Sequence, residues 1–344
     1  MTANTQSSPT ANYATDLPNA DAQLAQFGSA AACLKAAGDA MRLQILAILS
    51  NDAFGVLELS HIFATKQSGM SHHLKVLAKA NLVSTRREGN TIFYRRCDNT
   101  VTTSEQHLRN SIYALADELS LPQSTHTQLQ QIYSQRAEAS KAFFIENAQA
   151  FREQQDLIAA YELYGPEVAT VLADSPCPDY KRVLEIGPGA GEFLPELSQR
   201  FEQVIALDSS AEMLQQSREL GFRNAMHNIE FVQNDTSYCK HIEGQLDCVV
   251  VNMVLHHTPS PSHIFEDVAH SLKPNGVFIV CDLGAHNQDW VRNACGDHWL
   301  GFDANDLKQW AGKNQLAAGT SRYFALRNGF QIQIHQFIKQ AKHI

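Results

Sequence analysis

Apolar side chains recur at helical spacing in three stretches near the amino end of the chain. The first stretch spans residues 27–49, and within it Asp39 has the kind of side chain that caps the amino end of a helix. The second covers residues 56–63 and the third residues 68–81, with a short turn at 64–67 between them. The pattern therefore predicts a small group of helices, two of which are joined by a tight turn.

The third of these helices has two different faces. Met70, Leu74 and Leu77 follow one another at i, i+4 and i+7, so they form one apolar stripe that predicts burial. Another face is polar and basic, with Ser71, His72, Lys75 and Lys79.

Two runs with strand composition follow, at residues 82–85 and 91–95, and the loop predicted between them is 86–90. Helix, helix, turn, helix and hairpin is the order of a winged helix-turn-helix. In that fold the third helix enters the major groove and the hairpin reaches the DNA backbone. The alternative is a small α/β packing module with a solvated basic face. The predicted DNA-binding residues are Gln67, Ser68, Ser71, His72, Lys75, Arg86 and Arg87.

The same residues resemble a known family. The runs 38–46, 67–77 and 82–94 are similar to the second helix, the recognition helix and the wing of ArsR-type transcriptional regulators. The resemblance covers residues 28–103. It implies a homodimeric repressor that binds an imperfect palindromic operator in double-stranded DNA.

The resemblance does not extend to a metal sensor. Metal-sensing members place a Cys-x-Cys pair in the helix before the recognition helix, and Gly55 and Leu57 stand at the matching positions. In the following helix His107 stands alone. Because Zn²⁺, Cd²⁺ and As(III) need several soft or imidazole donors that converge on one ion, we predict no metal site.

Residues 104–160 have helical composition, and Pro122 divides them into two segments. By analogy with the family, we expect the first segment to be a dimerisation helix. We expect the rest to connect to a second domain and to carry no chemistry.

A different pattern follows. An apolar run at 182–186 opens into a glycine-rich loop, a helical stretch covers 192–201, and a second apolar run at 203–207 ends in Asp208. This order is the first half of a doubly wound α/β sheet that binds a nucleotide. Glu185 precedes the loop, whose spacing is G-x-G-x-G, whereas a dinucleotide fold has G-x-G-x-x-G.

Further apolar runs at 228–235, 247–252 and 277–282 continue this pattern. Over residues 161–344 the order resembles class I S-adenosylmethionine-dependent methyltransferases. The resemblance implies a Rossmann-like domain that binds S-adenosylmethionine or S-adenosylhomocysteine. The residues that it assigns to the ligand are Glu185, Gly187, Gly189 and Gly191 for the methionine part, Asp208 for the ribose, Asp235 and Thr236 for the adenine, and Asn252 beneath the sulfonium.

Catalysis is harder to predict, because methyl transfer needs mainly approach and alignment of the reactants. His256 and His257 follow the fourth strand, where a general base could stand, and they are the candidates for that role. Such a pair is also common as a structural element in similar enzymes. The sequence therefore leaves open whether the domain is an enzyme.

Charge and composition complete the picture. The chain has a net charge of −9, whereas residues 28–103 hold nine basic and five acidic side chains, which favours a local contact with a polyanion. The seven cysteines form no Cys-x-Cys or Cys-x-x-Cys pair, and no apolar run is long enough for a membrane helix. Residues 1–27 are polar and lack Lys and Arg, so we expect a disordered tail and a cytoplasmic protein without membrane contact.

The chain is thus expected to have two domains: a winged helix-turn-helix at 28–103, and an α/β doubly wound methyltransferase-like domain at 161–344 after a helical segment at 104–160. The leading hypothesis is a transcriptional regulator whose effector is the S-adenosyl nucleotide. The first alternative is an active methyltransferase of a small molecule with an autoregulatory DNA-binding domain. The second is a metal- or thiol-responsive repressor.

Overall fold

The computed structural model describes residues 20–97, 104–147 and 151–341. It contains an amino-terminal winged helix-turn-helix, a helical segment and a carboxy-terminal α/β domain with a seven-stranded sheet. Within these ranges no helix has the length and apolar character needed to cross a lipid bilayer.

Four helices build the winged-helix domain: α1 (Ala20–Ala37), α2 (Ala40–Ile48), α3 (Val56–Ile62) and α4 (Gln67–Lys79). Asp39 caps α2 as predicted, because its carboxylate accepts a hydrogen bond from the backbone N–H of Arg42 at 3.0 Å. The predicted stripe on α4 is also confirmed, since Met70, Leu74 and Leu77 are fully buried.

The predicted tail, residues 1–27, lies mostly outside the described residues. Residues 20–27, however, belong to α1. Their composition of Ala, Leu, Gln and one Asp and Phe has no Gly or Pro, so helix propensity explains why the helix begins before the predicted position.

Three short strands form the wing: β1 (Phe54–Gly55), β2 (Val83–Glu88) and β3 (Thr91–Arg96), in the order β1-β3-β2. The loop predicted at 86–90 is shorter than expected, because Arg86 to Glu88 pair with β3 and only Gly89 and Asn90 form the turn. Side chains alternate along a strand, so Arg87 faces solvent while Glu88 is buried on the other side.

Four helices link the domains: α5 (Ser104–Glu118), α6 (Gln123–Asn147), α7 (Phe151–Ala159) and α8 (Tyr161–Ala173). The helix α5 packs against α1 and α2. The long helix α6 contacts both domains, since Ile132 belongs to the winged-helix core and Phe144 lies against His257 of the α/β domain. The segment predicted to be a connector is therefore part of both structures.

The carboxy-terminal sheet has the strand order β6-β5-β4-β7-β8-β10-β9, in which β10 runs antiparallel to both β8 and β9 while the other strands run parallel to one another. Its strands are β4 (Arg182–Ile186), β5 (Gln203–Asp208), β6 (Ile229–Gln233), β7 (Leu246–Asn252), β8 (Leu272–Leu283), β9 (Leu316–Ala325) and β10 (Gln331–Lys339). Its helices are α9 (Leu194–Arg200), α10 (Ala211–Arg223), α11 (Pro261–Ser271), α12 (Trp290–Cys295) and α13 (Ala304–Lys313). The doubly wound fold is as predicted, and the β9–β10 hairpin adds to it.

Both faces of this sheet are buried. Val183, Val204 and Val250 pack on one face, whereas Leu184 and Ile205 pack on the other. Two covered faces explain the nearly continuous apolar runs in the sequence. The order of the strands reverses at β4, so a crevice opens at the carboxyl ends of β4, β5 and β7.

Candidate nucleotide site and DNA interface

A cavity of about 720 Å³ lies at this crevice. The loop after β4 and the residues that follow β5 and β7 line one side of it, while α6 and α8 line another. Small-molecule sites in proteins have volumes of about 300–1,000 Å³, so the cavity has the size of a ligand site.

The structure brings most of the predicted cofactor-binding residues to this cavity. Those that line it are Glu185, Gly187, Gly189, Asp208, Asp235, Thr236 and Asn252. Gly191 does not line it. Its φ is +87°, and an added Cβ would lie 3.1 Å from Leu194 Cδ1 and from Ser217 Cα. Gly191 therefore allows the loop to pack against α10, rather than offering backbone to a ligand.

Gly189 is the glycine of this loop that leaves space for a ligand beside the main chain. Its φ is +58°, which favours glycine, and an added Cβ would meet only Met213 Cε at 4.0 Å. Gly187 also has a positive φ, but there an added Cβ would lie 2.6 Å from Val254 Cγ2. The backbone is therefore open to close approach at Gly189.

A buried carboxyl and a neighbouring amide lie at the base of the cavity. Asn252 Nδ2 donates to Glu185 Oε1 at 3.4 Å, whereas Glu185 Oε2 and Asn252 Oδ1 have no hydrogen-bond partner among the described residues. Burial raises the pKa of Glu185 to about 8. Two unpartnered acceptors at a buried point suit a ligand that brings a positively charged donor, such as the ammonium group of an amino acid.

Asp208 ends β5 at the cavity wall. Its Oδ1 accepts a hydrogen bond from the backbone N–H of Ser210 at 2.8 Å, which fixes the orientation of the carboxyl group. Burial raises the pKa of Asp208 to about 6. An acid at this position of a doubly wound sheet can accept hydrogen bonds from ribose hydroxyls.

Asp235 and Thr236 lie beyond β6. Asp235 Oδ1 accepts from the backbone N–H of Ser237 at 2.9 Å and caps a short 3₁₀ helix, Thr236–Ile242. Thr236 Oγ1 donates to Asp267 Oδ2 of α11 at 2.6 Å. These bonds hold the far end of the cavity in place.

The two candidate histidines have different surroundings. His257 lines the cavity, and its ring meets that of Phe144 edge-on at 5.3 Å between centroids. His256 is fully buried behind it, with Nδ1 2.8 Å from Asp282 Oδ1. Burial lowers the pKa of His257, whereas at His256 the charges of Asp282 and Asp297 outweigh burial and raise the pKa to about 9. Of the two, His257 is the one at the cavity wall.

The sequence does not reveal the wall that α6 and α8 provide. From α8 come Tyr161 and Tyr164, whose pKa values burial raises. No local motif marks these residues, because tertiary packing alone brings them to the strand ends. The lining residues of α6 are Gln130, Tyr133, Ser134, Ala137, Glu138, Ser140, Lys141 and Phe144.

Arg136 of α6 joins the cavity wall to the winged-helix domain. Its guanidinium donates to both carboxylate oxygens of Glu58 in α3 at 2.8 Å, and to the carbonyl oxygens of Ala53 and Pro259 at 3.1 Å. The same group lies 5.0 Å from the centre of the Trp299 ring. A single buried side chain of α6 therefore contacts both domains.

Asp52 forms a second junction. This buried residue between α2 and α3 accepts hydrogen bonds from the Tyr133 hydroxyl at 2.7 Å and from the hydroxyls of Ser260 and Ser262 at 2.6 and 3.1 Å. Tyr133 and Ser260 also line the cavity. The cavity and the winged-helix domain thus share hydrogen-bonded side chains.

The predicted DNA-binding residues fall into two groups. On α4 every one of them is exposed: Gln67, Ser68, Ser71, His72 and Lys75. On the wing, Arg87 is exposed, but Arg86 donates to the carbonyl oxygens of Leu300 and of Gly301, the latter at 2.8 Å. This position differs from the predicted contact of Arg86 with DNA, because the carboxy-terminal domain already satisfies its donors.

Comparison with protein families agrees with both domains. Residues 39–85 match the family model described as "Bacterial regulatory protein, arsR family", and residues 184–280 match the one described as "Methyltransferase domain". Both resemblances predicted from the sequence are confirmed.

Individual relatives match the second domain only in part. The chain is 27% identical over 121 residues to a ubiquinone biosynthesis O-methyltransferase of Erwinia tasmaniensis, which covers 35% of this chain and 49% of that protein. It is 23% identical over 139 residues to the uncharacterized methyltransferase YcgJ of Bacillus subtilis, which covers 40% and 53%. The chain therefore spans about half the length of these curated relatives. A solved structure of YcgJ covers 51% of this chain and 99% of its own, with 16% identity and a TM-score of 0.45.

Proposed function

We propose that this chain, which joins an ArsR-type helix-turn-helix domain to a methyltransferase domain, is a transcriptional regulator that responds to S-adenosylmethionine or S-adenosylhomocysteine. The nucleotide occupies the cavity, and its presence changes the affinity of the winged-helix domain for a palindromic operator. Repression is the mode of action that the ArsR resemblance favours.

The observation that carries this proposal is the double role of α6. Its residues line the cavity, and Arg136 and Tyr133 bind Glu58 and Asp52 of the winged-helix domain. A ligand that contacts α6 acts directly on the support of α3, which precedes the recognition helix α4. Such shared contacts provide the difference in interaction energy between two states that allosteric control requires.

The position of Glu58 supports the same conclusion. Metal-sensing ArsR-type regulators carry their thiols in the helix before the recognition helix, where this chain has Gly55 and Leu57. Here Glu58 of that helix is held by Arg136 of α6, the helix whose other residues line the cavity. We propose that this link replaces the metal as the input to the DNA-binding domain.

The cavity residues fit an S-adenosyl nucleotide. Glu185 and Asn252 offer acceptors for the ammonium group of the methionine part, and Asp208 offers a carboxylate to the ribose. Asp235 and Thr236 lie where the adenine is expected, and Gly189 leaves room beside the main chain. When S-adenosylmethionine is bound, it supplies an activated methyl group.

We further propose that the chain acts as a homodimer. Large apolar side chains are exposed on α1, on α5 and directly after α5, and these two helices pack against each other in the winged-helix domain. An exposed apolar patch of this kind marks a protein interface more often than bare surface. A dimer through this face would present two recognition helices to the halves of a palindrome. The exposed side chains are Leu24, Phe27, Leu34, Leu115 and Leu119.

A second candidate function is methyl transfer to a small molecule, with the DNA-binding domain controlling expression of the chain itself. The names of the curated relatives favour it, because both are methyltransferases. His257 stands at the cavity wall, where it could accept a proton from a substrate. Approach and alignment would supply most of the rate enhancement.

Operator titration distinguishes the two functions. DNA that binds the protein is first selected from a random pool, and its dissociation constant is then measured by fluorescence anisotropy with and without each S-adenosyl nucleotide. We expect at least one of them to change the constant by about 5- to 150-fold, the usual range of allosteric coupling. ATP, which has no amino acid part, should have no effect.

Nucleotide binding without any effect on the affinity for DNA would contradict the proposal. If calorimetry shows that the nucleotide binds while the affinity for DNA stays the same, the regulator hypothesis is wrong. Turnover of S-adenosylmethionine with some acceptor would then establish the enzyme.

A further inference from the structure

A cluster of potential metal ligands lies behind the cavity. His256, His257 and Asp297 each place a nitrogen or oxygen atom within 4.8 Å of the others. Asp297 Oδ1 lies 4.0 Å from His256 Nε2 and 3.6 Å from His257 Nδ1. In a tetrahedral zinc site with bonds of about 2.0–2.2 Å, ligand atoms lie somewhat closer to one another than this, so a small contraction would complete the geometry.

The cluster is buried, and no hydrogen bond from the described residues reaches the carboxylate of Asp297. The exposed fractions of the three residues are 0% for His256, 5% for His257 and 3% for Asp297. Neither carboxylate oxygen of Asp297, nor His256 Nε2, has a hydrogen-bond partner among the described residues. Because an unpaired polar group in the interior is costly, these atoms point to a missing cationic partner.

A neighbouring carboxylate already orients one of the histidines. His256 Nδ1 lies 2.8 Å from Asp282 Oδ1, and the carboxylate of Asp282 also accepts from the backbone N–H groups of Leu255 and Leu283 at 2.9 and 2.7 Å. In the neutral form of His256, the form that binds a metal ion, donation from Nδ1 to Asp282 leaves Nε2 as the free nitrogen, 4.0 Å from Asp297 Oδ1. Carboxylate, histidine and metal in this order form the usual support of a metal-binding imidazole.

We propose that His256, His257 and Asp297 bind a divalent transition-metal ion of the zinc type. Two imidazoles and one carboxylate are a donor set that Zn²⁺ accepts, with one position left for water or another ligand. Since His257 also lines the cavity, the ion can enter from that side. This proposal departs from the sequence-based prediction of no metal site, which considered only donors close together in the chain, whereas Asp297 is remote in sequence from the two histidines.

The ion would also stabilise the contact between the domains. Asp297 begins the segment 297–302, in which the carbonyl oxygens of Leu300 and Gly301 accept from Arg86 of the wing. His298 of the same segment lies with Nε2 2.9 Å from the carbonyl oxygen of Arg136 in α6. A metal bound to Asp297 would therefore hold the surface on which the wing and α6 rest.

Metal content and stability of the full-length protein test the proposal. The protein is stripped with a chelator, incubated with excess Zn²⁺, freed of unbound ion and analysed by mass spectrometry for bound metal. We expect about one ion per chain. The melting temperature of the wild type should rise steadily with free Zn²⁺, because a ligand that binds only the folded state stabilises it by mass action.

Conservative variants then locate the ion. Asp297→Asn keeps the shape and should lose the bound Zn²⁺ together with its effect on melting. Asp282→Asn should weaken Zn²⁺ binding by about 10- to 100-fold, since it removes only the support of His256. Asp179→Asn, at an exposed aspartate whose nearest cation, Lys273, is 3.9 Å away, is the matched control and should behave as the wild type.

Cobalt gives an independent readout that does not depend on any variant. Co²⁺ bound by the wild type should show the intense visible absorption of a tetrahedral site, and Zn²⁺ should displace it. The proposal is wrong if the wild type retains no metal and melts at the same temperature at every Zn²⁺ concentration. It is equally wrong if Asp297→Asn binds Zn²⁺ as tightly as the wild type. The unpaired carboxylate would then be balanced by the imidazolium form of His256 alone.

Discussion

The cavity has two walls, one at the ends of the sheet strands and one on helix α6, and we expect them to have different functions. The wall at the strand ends contains Glu185, Gly189 and Asp208, which lie close together in sequence, on β4, in the loop after it and at the end of β5. The wall on α6 contains Tyr133 and neighbouring residues from a helix that also packs on the winged-helix domain. The first wall holds groups that suit the ligand, and the second joins the cavity to the DNA-binding domain.

Under the proposed function, this difference between the walls explains how a nucleotide site acts as a sensor. A sheet edge alone would hold a nucleotide without consequence for the recognition helix α4, which lies more than a hundred residues earlier in the chain. A helix shared by both domains adds that consequence, because Arg136 and Tyr133 bond to α3 and to the loop before it. Changes in the first wall should therefore alter ligand affinity, whereas changes in the second should alter the response to the ligand.

The largest effect is expected at the first wall. Asp208→Ala removes the carboxylate that we propose accepts from the ribose, at a cost of about 2–4 kcal/mol, because charged hydrogen bonds are worth about 1.5–3 kcal/mol each. Calorimetry with S-adenosylhomocysteine should show a loss of affinity of about 30- to 1000-fold. Asp208→Asn should lose less. An unchanged affinity in Asp208→Ala would show that Asp208 does not bind the ribose.

The pH dependence of ligand binding gives a smaller effect at the same wall. Burial raises the pKa of Glu185 to about 8, so the ligand-free carboxyl is protonated at neutral pH, while a bound ammonium group favours the ionised form. The affinity of the protein for S-adenosylhomocysteine should rise by up to about tenfold per pH unit towards pH 8. It should fall further below pH 6, where Asp208, with a pKa of about 6, becomes protonated.

The stability of the folded protein depends on pH with the opposite sign to ligand binding. Between the ordinary pKa of 4.5 and the raised value of about 8, Glu185 is protonated in the folded chain and ionised in the unfolded one. The stability that it contributes to the ligand-free protein is therefore present below pH 4.5 and is lost as the pH rises to 8. Glu185→Gln should flatten both profiles. Calorimetric and thermal profiles that keep their slope in this variant would assign the titration to another group.

The sequence predicted the first wall because its determinants are local. A strand that ends in a glycine loop, followed by a strand that ends in Asp208, specifies its own geometry within about 25 residues. The second wall could not be predicted in this way, since Tyr133 lies on a helix of ordinary composition and only tertiary packing brings it to the cavity and Arg136 of the same helix to Glu58. Because tertiary packing also brings together His256, His257 and Asp297, the sequence did not predict this cluster. Nor did it predict the docking of Arg86 on Leu300 and Gly301.

Local propensity also set the limits of the fold prediction. Asp39 and the stripe of Met70, Leu74 and Leu77 behaved as their spacing indicates. The wing strand extended further than predicted because pairing with β3 outweighed the polar composition of Arg86 to Glu88. Tertiary pairing of this kind is not visible in a single segment of sequence.

The most direct test of the central claim is the effect of the nucleotide on operator affinity in a variant whose second wall is disconnected. Tyr133→Phe combined with Glu58→Gln removes the hydroxyl bond to Asp52 and the charge that binds Arg136, and keeps the shapes of both side chains. Fluorescence anisotropy should show that this variant binds S-adenosylhomocysteine and operator DNA, yet has lost most of the change in DNA affinity that the nucleotide causes in the wild type. If the variant keeps the full change, α6 does not connect the cavity to the DNA-binding domain, and the account is contradicted.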